Sequence, residues 1–124
     1  MAKRILVVDD ESDVVLRQVL SENGSVVDSY ENPFLALEKF KAHSYDLVIP
    51  DIKMPDLNGF ALYREIKRLD KKVKVCFLTA GEMYYDEYQD IFSSLSVNHF
   101  IRKPIDNEEL LNRVKEILVD DTTI

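Results

Sequence analysis

The stretch Tyr45-Asp46-Leu47-Val48-Ile49-Pro50-Asp51-Ile52-Lys53-Met54-Pro55 decides how this chain folds. Its apolar residues are consecutive rather than alternating, which suits a parallel strand covered on both faces. The run climbs to one carboxylate, Asp51, and is cut off by Met54-Pro55, so it delivers a single acid to a loop. Pro50 conflicts with a central strand, because proline has no N–H for a ladder, but one residue from the strand end it is tolerable.

Three other runs end in the same manner. Ile5-Leu6-Val7-Val8 leads into Asp9-Asp10, Val73 to Leu78 leads into Thr79, and Val97 to Arg102 leads into Lys103-Pro104. A fifth and more polar run, Val26 to Tyr30, reads as an edge strand.

Helices are expected between them. Ser12 caps the first, which carries Val15, Leu16, Val19 and Leu20 on one face and stops at Gly24. Asn32-Pro33 opens the second, running to about His43 with Phe34, Leu37 and Phe40 as its inner stripe. Asn58-Gly59 opens the third, with Leu62, Ile66 and Leu69 inward. A fourth covers Glu82 to Leu95. Asp106 and Glu109 form a capping-box pattern before a fifth, with Leu110, Leu111, Val114, Ile117 and Leu118 on one face.

Five strands alternating with five helices predict a doubly wound α/β fold, a single domain over residues 1–124. Burial ranks the first, third and fourth strands inside, which predicts a parallel sheet of flavodoxin-like order 2-1-3-4-5. In such sheets ligands bind beyond the carboxyl ends of the strands. Here that edge gathers Asp9, Asp10, Asp51, Thr79 and Lys103.

Composition narrows the function. A chain of 124 residues with 46% apolar content supports one core without staples. Its formal net charge of −7 argues against general affinity for nucleic acid or anionic lipid, since no excess of Lys and Arg can replace counterions. The single cysteine, Cys76, sits in an apolar run and reads as inert core in a reducing compartment. No apolar run approaches a membrane span, and the four apolar residues after Met-Ala-Lys-Arg are too few for a signal peptide. The expectation is a soluble, cytoplasmic protein whose partner is a protein or a cation.

Three carboxylates about 5 Å apart repel by roughly 3 kcal/mol per pair at an effective dielectric near 20. Either one takes a proton or a cation sits between them. A hard divalent ion with few carboxylate ligands, several waters and a phosphate oxygen suits Mg²⁺ better than Ca²⁺.

Taken together, Asp9-Asp10, Asp51 with Met54-Pro55 and Gly59, Thr79-Ala80 and Lys103-Pro104 resemble a response regulator receiver domain, and the resemblance covers essentially the whole chain. It implies a stand-alone, chemotaxis-regulator-like switch of a two-component phosphorelay. A histidine kinase or phosphotransfer protein would phosphorylate Asp51, with Mg²⁺ held by Asp9, Asp10, Asp51 and the backbone carbonyl of Lys53. By the same resemblance Lys103 and Thr79 contact the phosphoryl group. Thr79 and Phe100 form the switch, and the face of the fourth helix, fifth strand and fifth helix meets a downstream protein. At position 100 a Phe has no hydroxyl, so the switch there rests on packing.

Two other functions compete. Phosphatases of the haloacid dehalogenase type share the Asp, Thr, Lys and Mg²⁺, but need a second acid two residues after the nucleophile, where this chain has Lys53. A receiver-like module that only binds protein usually lacks an acid or the lysine, and none is lacking here. Turnover of an external substrate is not expected. His43 and His99 have no ligand-spaced companions and receive no role. Tyr84, Tyr85 and Tyr88 read as core edge and amphipathic surface, with a partner surface as the sharper reading.

Overall fold

Consecutive apolar positions in each central strand divide between two faces of one sheet, and among the described residues helices pack against both faces. The computed structural model of the chain describes residues 3–9, 14–52, 57, 59–79, 100–102 and 106–119. Its elements are β1 (Arg4–Val8), α1 (Val14–Glu22), β2 (Val26–Tyr30), α2 (Pro33–Lys39), β3 (Leu47–Pro50), α3 (Gly59–Leu69), β4 (Lys74–Val75), β5 (Phe77–Thr79), β6 (Phe100–Arg102) and α4 (Asn107–Val119). The expected helix over 82–95 lies outside the described residues.

Ile5, Val7, Leu47, Ile49, Cys76, Leu78 and Ile101 face α1 and α4, whereas Leu6, Val8, Val48, Val75 and Phe77 face α2 and α3. This two-sided burial is what a parallel sheet requires, since its crossover helices cover both faces. Among the described residues all pairings are parallel, in the order β2-β1-β3-β4, with β5 and β6 as a second ladder. A bridge between Asp51 and Leu78 ties β5 to the end of β3. Since β4 and β5 are two halves of the expected fourth strand, the predicted order 2-1-3-4-5 holds.

The expected single strand over 73–79 is divided at Cys76. Pro50 explains where. The Cys76 N–H donates to the Val48 carbonyl at 2.9 Å and the Ile52 N–H donates to the Leu78 carbonyl at 2.9 Å. The alternation of a parallel ladder therefore aims the nitrogen of Pro50 at the Cys76 carbonyl, and proline has no hydrogen to give there. Sequence reasoning saw the proline but not which neighbour it faced.

Local caps follow the sequence closely. Gly24, at φ 89°, ends α1, with Ser25 N–H donating to the Leu20 carbonyl at 3.3 Å and Gly24 N–H to that of Ser21 at 3.2 Å. These are the paired bonds of a Schellman motif, whose left-handed residue is cheapest as glycine. Asn32 Oδ1 accepts from the Phe34 and Leu35 N–H groups, with Pro33 in the first turn of α2. Asp106 Oδ2 accepts from Glu108 and Glu109 N–H, while the Glu109 carboxylate instead lies 3.7 Å from Arg113.

Two stripes differ from expectation. Helix α2 stops at Lys39 rather than near His43, and it buries Pro33, Ala36 and Phe40 while Phe34 is 53% exposed. Phe40 leaves the helix in an extended conformation and stacks on Tyr45 with ring centroids 5.9 Å apart, which starts the turn into β3. On α3 the inner residues are Phe60, Leu62 and Ile66, and Leu69 at the last turn is 53% exposed.

Candidate functional site

Two acids close the two central strands. Val8 pairs with Pro50 in the β1–β3 register, so the next residues along, Asp9 and Asp51, stand side by side at the strand ends. Neighbouring strands run about 4.8 Å apart. The Asp51 N–H donates to the Val8 carbonyl at 2.8 Å, and the Asp9 N–H donates to the Tyr30 carbonyl at 3.1 Å, so both backbones are fixed by the sheet itself. Both residues are buried, Asp9 at 2% and Asp51 at 7% exposure. Burial of a carboxylate is costly without compensation, and two on adjacent strand tips compound the cost.

Gly59 fixes Asp51 from behind. Its N–H donates to the Ile52 carbonyl at 3.0 Å, and a Cβ built on Gly59 would lie 2.4 Å from the Asp51 carbonyl oxygen and 2.9 Å from Ile52 Cα. Only a residue without a side chain lets the first turn of α3 approach the phosphoacceptor candidate so closely. The sequence placed Gly59 at the start of a helix, and the contact it makes across the loop comes from the fold.

On the other side of Asp51 lies the β5–β6 ladder. Phe77 pairs with Phe100, Leu78 with Ile101 and Thr79 with Arg102, which puts Thr79 at the carboxyl end of β5, beside Asp51. The Thr79 side chain, and all of Asp10, Lys53 and Lys103, lie outside the described residues, as do Tyr84, Tyr85, Tyr88 and His99. Phe100 is half-buried, its ring 5.4 Å from that of Phe77, which also touches Phe60 and Tyr63. The Arg113 guanidinium of α4 donates to the Phe100 carbonyl at 3.3 Å, joining the helix to this strand.

Among the described residues no group of three acids or metal-ligating side chains comes together. Two of the four residues assigned to a metal, Asp9 and Asp51, are described, and as hard oxygen donors at a buried corner they fit a small divalent cation.

The third buried acid escaped the sequence reading. Asp70, 4% exposed, lies past the C-terminus of α3, near the opposite ends of the strands. Its carboxylate accepts from the His43 N–H at 2.9 Å and the Lys72 N–H at 3.0 Å. Burial works to raise its pKa, but the N–H donors of His43, Lys72 and Val73 prevail and hold it below the ordinary value. His43 adopts φ 67° to present that N–H, which gives it a backbone role and leaves its ring 3.9 Å from Asp70. A lone Asp at the end of a helix carries no sequence signal of this.

Residues 5–115 match the response regulator receiver domain family. The chain belongs to that family. It is 35% identical over 124 residues to the chemotaxis protein CheY of Bacillus subtilis, covering 95% of this chain and 99% of that protein. It is 32% identical over 117 residues to the transcriptional activator protein IrlR of Burkholderia pseudomallei, where it spans 50% of that longer protein. Among solved structures, a CheY-like receiver domain protein from Methanospirillum hungatei superposes with a TM-score of 0.83 at 26% identity, over 97% of this chain and 96% of that one. A receiver domain protein from Clostridium thermocellum gives 0.80 at 27% identity, over 98% and 97%. This receiver domain is thus homologous to CheY and to the receiver halves of longer regulators, and the family generally binds Mg²⁺ at its acidic pocket.

Proposed function

We propose that Asp51 is the phosphoacceptor of a two-component switch, taking its phosphoryl group from the phosphohistidine of a kinase or phosphotransfer protein. The observation that carries this is the registered pair Asp9 and Asp51, two buried carboxylates on adjacent central strand tips. Asp9, Asp10, Asp51 and the Lys53 carbonyl would hold Mg²⁺, which when bound neutralises charge on the phosphoryl oxygens. An Asp51 carboxylate oxygen forms the new bond to phosphorus as the P–N bond breaks, its electron pair going to the departing imidazole. The backbone bonds of Asp51 to Val8 and the close approach of Gly59 hold that oxygen in place for an in-line encounter.

Lys103 supplies positive charge to the phosphoryl group and Thr79 a hydroxyl donor. Thr79 and Phe100 then relay the change to the face formed by residues 82–95, β6 and α4, where a downstream protein binds. The Arg113 to Phe100 bond supports that route, because it ties α4 to the switch strand. No external substrate is turned over. No helix of the described residues is long and apolar enough to cross a membrane, and we place the protein in the cytoplasm.

Incubation with acetyl phosphate and Mg²⁺, followed by intact mass, tests the reading. One phosphoryl adduct is expected, and none when the metal is chelated before incubation or in Asp51→Asn. No adduct would favour a module that binds partners without phosphorylation, and an adduct that survives in Asp51→Asn would move the acceptor elsewhere.

A further inference from the structure

We propose that the amino-terminal side of the sheet, opposite the edge that carries Asp51, holds a binding site for a compact diphosphate anion, built from Lys3, Lys72, Lys74 and His43.

A cavity of about 210 Å³ opens there, lined by Lys3 ahead of β1, Asp46 ahead of β3, Lys72 and Lys74 at β4, and His43 and Asp70 beside them. It has room for several waters, and so for two linked phosphoryl groups.

The cations of this cavity are not spent on its acids. The Asp70 carboxylate is buried and accepts from the His43 and Lys72 N–H groups at 2.9 and 3.0 Å, and Asp46 Oδ2 accepts from the Arg4 N–H at 2.8 Å. Both carboxylates are therefore held by backbone donors. The Lys74 ammonium donates to the Ile117 carbonyl at 2.6 Å, which uses one of its three hydrogens. Among the described residues the Lys3 and Lys72 ammoniums have neither an ion pair nor a hydrogen bond, and both residues are exposed. The exposed His43 imidazole supplies a further N–H.

Positive charge is concentrated at this end. Lys67, Arg68, Lys71, Lys72 and Lys74 place five of the 16 Lys and Arg within residues 67–74, in a chain of net charge −7. Like charges so close together repel one another, and a bound anion offsets that cost. An ammonium is a compact point charge with three donors, which suits phosphoryl oxygens. The acidity of the rest of the chain favours a small anion over a long one such as nucleic acid, which would run past the basic patch.

Titration of the full chain with inorganic pyrophosphate in metal-free buffer, followed through backbone amide shifts, tests the site. Saturable shifts are expected at His43, Lys72 and Lys74, with Val8, Asp9 and Asp51 unmoved. Lys3→Glu and Lys72→Glu should each weaken binding about tenfold or more, the worth of one charged hydrogen bond. Arg17→Glu makes the same change of charge on the exposed side of α1 and should weaken binding by no more than about twofold, through screened long-range charge alone. Sulfate at matched ionic strength, with a single tetrahedral centre, should bind more weakly than pyrophosphate.

ADP separates the sources of the diphosphate. Binding at least as tight as that of pyrophosphate assigns the site to a nucleotide, and weaker binding assigns it to the free anion. Absence of saturable pyrophosphate binding, shifts centred on Asp9 and Asp51, or equal losses in Lys72→Glu and Arg17→Glu would overturn the proposal. Should a charge-reversed variant not fold, Lys3→Gln and Lys72→Gln decide by the same titration. No step of the test involves phosphorylation, so its outcome is separate from that of the acceptor reading.

Discussion

Phe77 and Phe100 stand opposite each other in register on β5 and β6, with ring centroids 5.4 Å apart and planes inclined by 25°. Phe77 is fully buried and touches Phe60 at 4.8 Å and Tyr63 at 5.5 Å, so the half-buried Phe100 extends an aromatic cluster rooted on α3. Truncating the root should cost far more than truncating the rim. Phe77→Ala is expected to lose about 3–5 kcal/mol, the usual range for a buried Phe. Phe100→Ala should lose about 1–2 kcal/mol, from partial burial and one aromatic pair. Urea unfolding of both single variants and the double variant gives their coupling, expected at about 0.5–1.5 kcal/mol. Strict additivity would show that the stacked rings do not act together.

Gly59→Ala tests the approach of α3 to Asp51. The atoms that the new Cβ would meet, the Asp51 carbonyl oxygen at 2.4 Å and Ile52 Cα at 2.9 Å, are backbone and cannot rotate away. Overpacking of this kind costs about 1–3 kcal/mol, even though Ala is the better helix former. The shift it forces falls on the acceptor, so the rate of adduct formation with acetyl phosphate should drop more than the loss of stability accounts for. A variant as stable and as readily phosphorylated as the parent would show that the loop accommodates a methyl group freely.

The readable parts of this fold were those set by short-range pattern. Consecutive apolar runs such as Ile5 to Val8 identified central strands, and Asn32-Pro33, Gly24 and Asp106 marked helix ends with the bonds the structure shows. What escaped depends on which partner an atom faces. Phe34 fits the helical period as well as Pro33 does, and only the direction of α2 across the sheet decides that Pro33 goes inward. The division of the fourth strand at Cys76 depends on a proline 26 positions earlier in the chain (76 − 50). For the site, Asp9 and Asp51 were legible because each terminates an apolar run. Asp70 was not, because its partners are backbone N–H groups, one of its own loop (Lys72) and one of the distant loop that holds His43.

Cys76 should be unreactive while the protein is folded. It is fully buried among aliphatic side chains, and burial pushes its thiol up to about 12 although the charge of Arg113 opposes this. The reactive species is the thiolate, so both access and ionisation are denied. Labelling with a disulfide reagent at pH 8 should be slow in buffer and complete within minutes in denaturant. Rapid labelling of the native protein would mean that the region around Cys76 opens often, which would also bear on the gap in the ladder beside it.

Asp70 should make stability depend on acidity. Its folded pKa lies below the ordinary value, despite burial, because the His43, Lys72 and Val73 N–H groups favour the charged form. A depressed carboxylate contributes stability above its unfolded pKa of about 3.9 and loses that contribution as pH falls through the folded value. Asp70→Asn replaces one acceptor oxygen with an NH₂ group that meets backbone donors, and should cost about 1–3 kcal/mol at pH 7. Since the variant does not titrate here, its deficit relative to the parent should hold from about pH 7 to 5 and shrink below about pH 4. The His43 ring contributes little, being 77% exposed and 3.9 Å away, so His43→Gln should leave the profile unchanged while its N–H remains. Urea midpoints across that pH range measure the difference directly. A deficit that stays constant down to about pH 3 would show that Asp70 acts through its shape and not its charge.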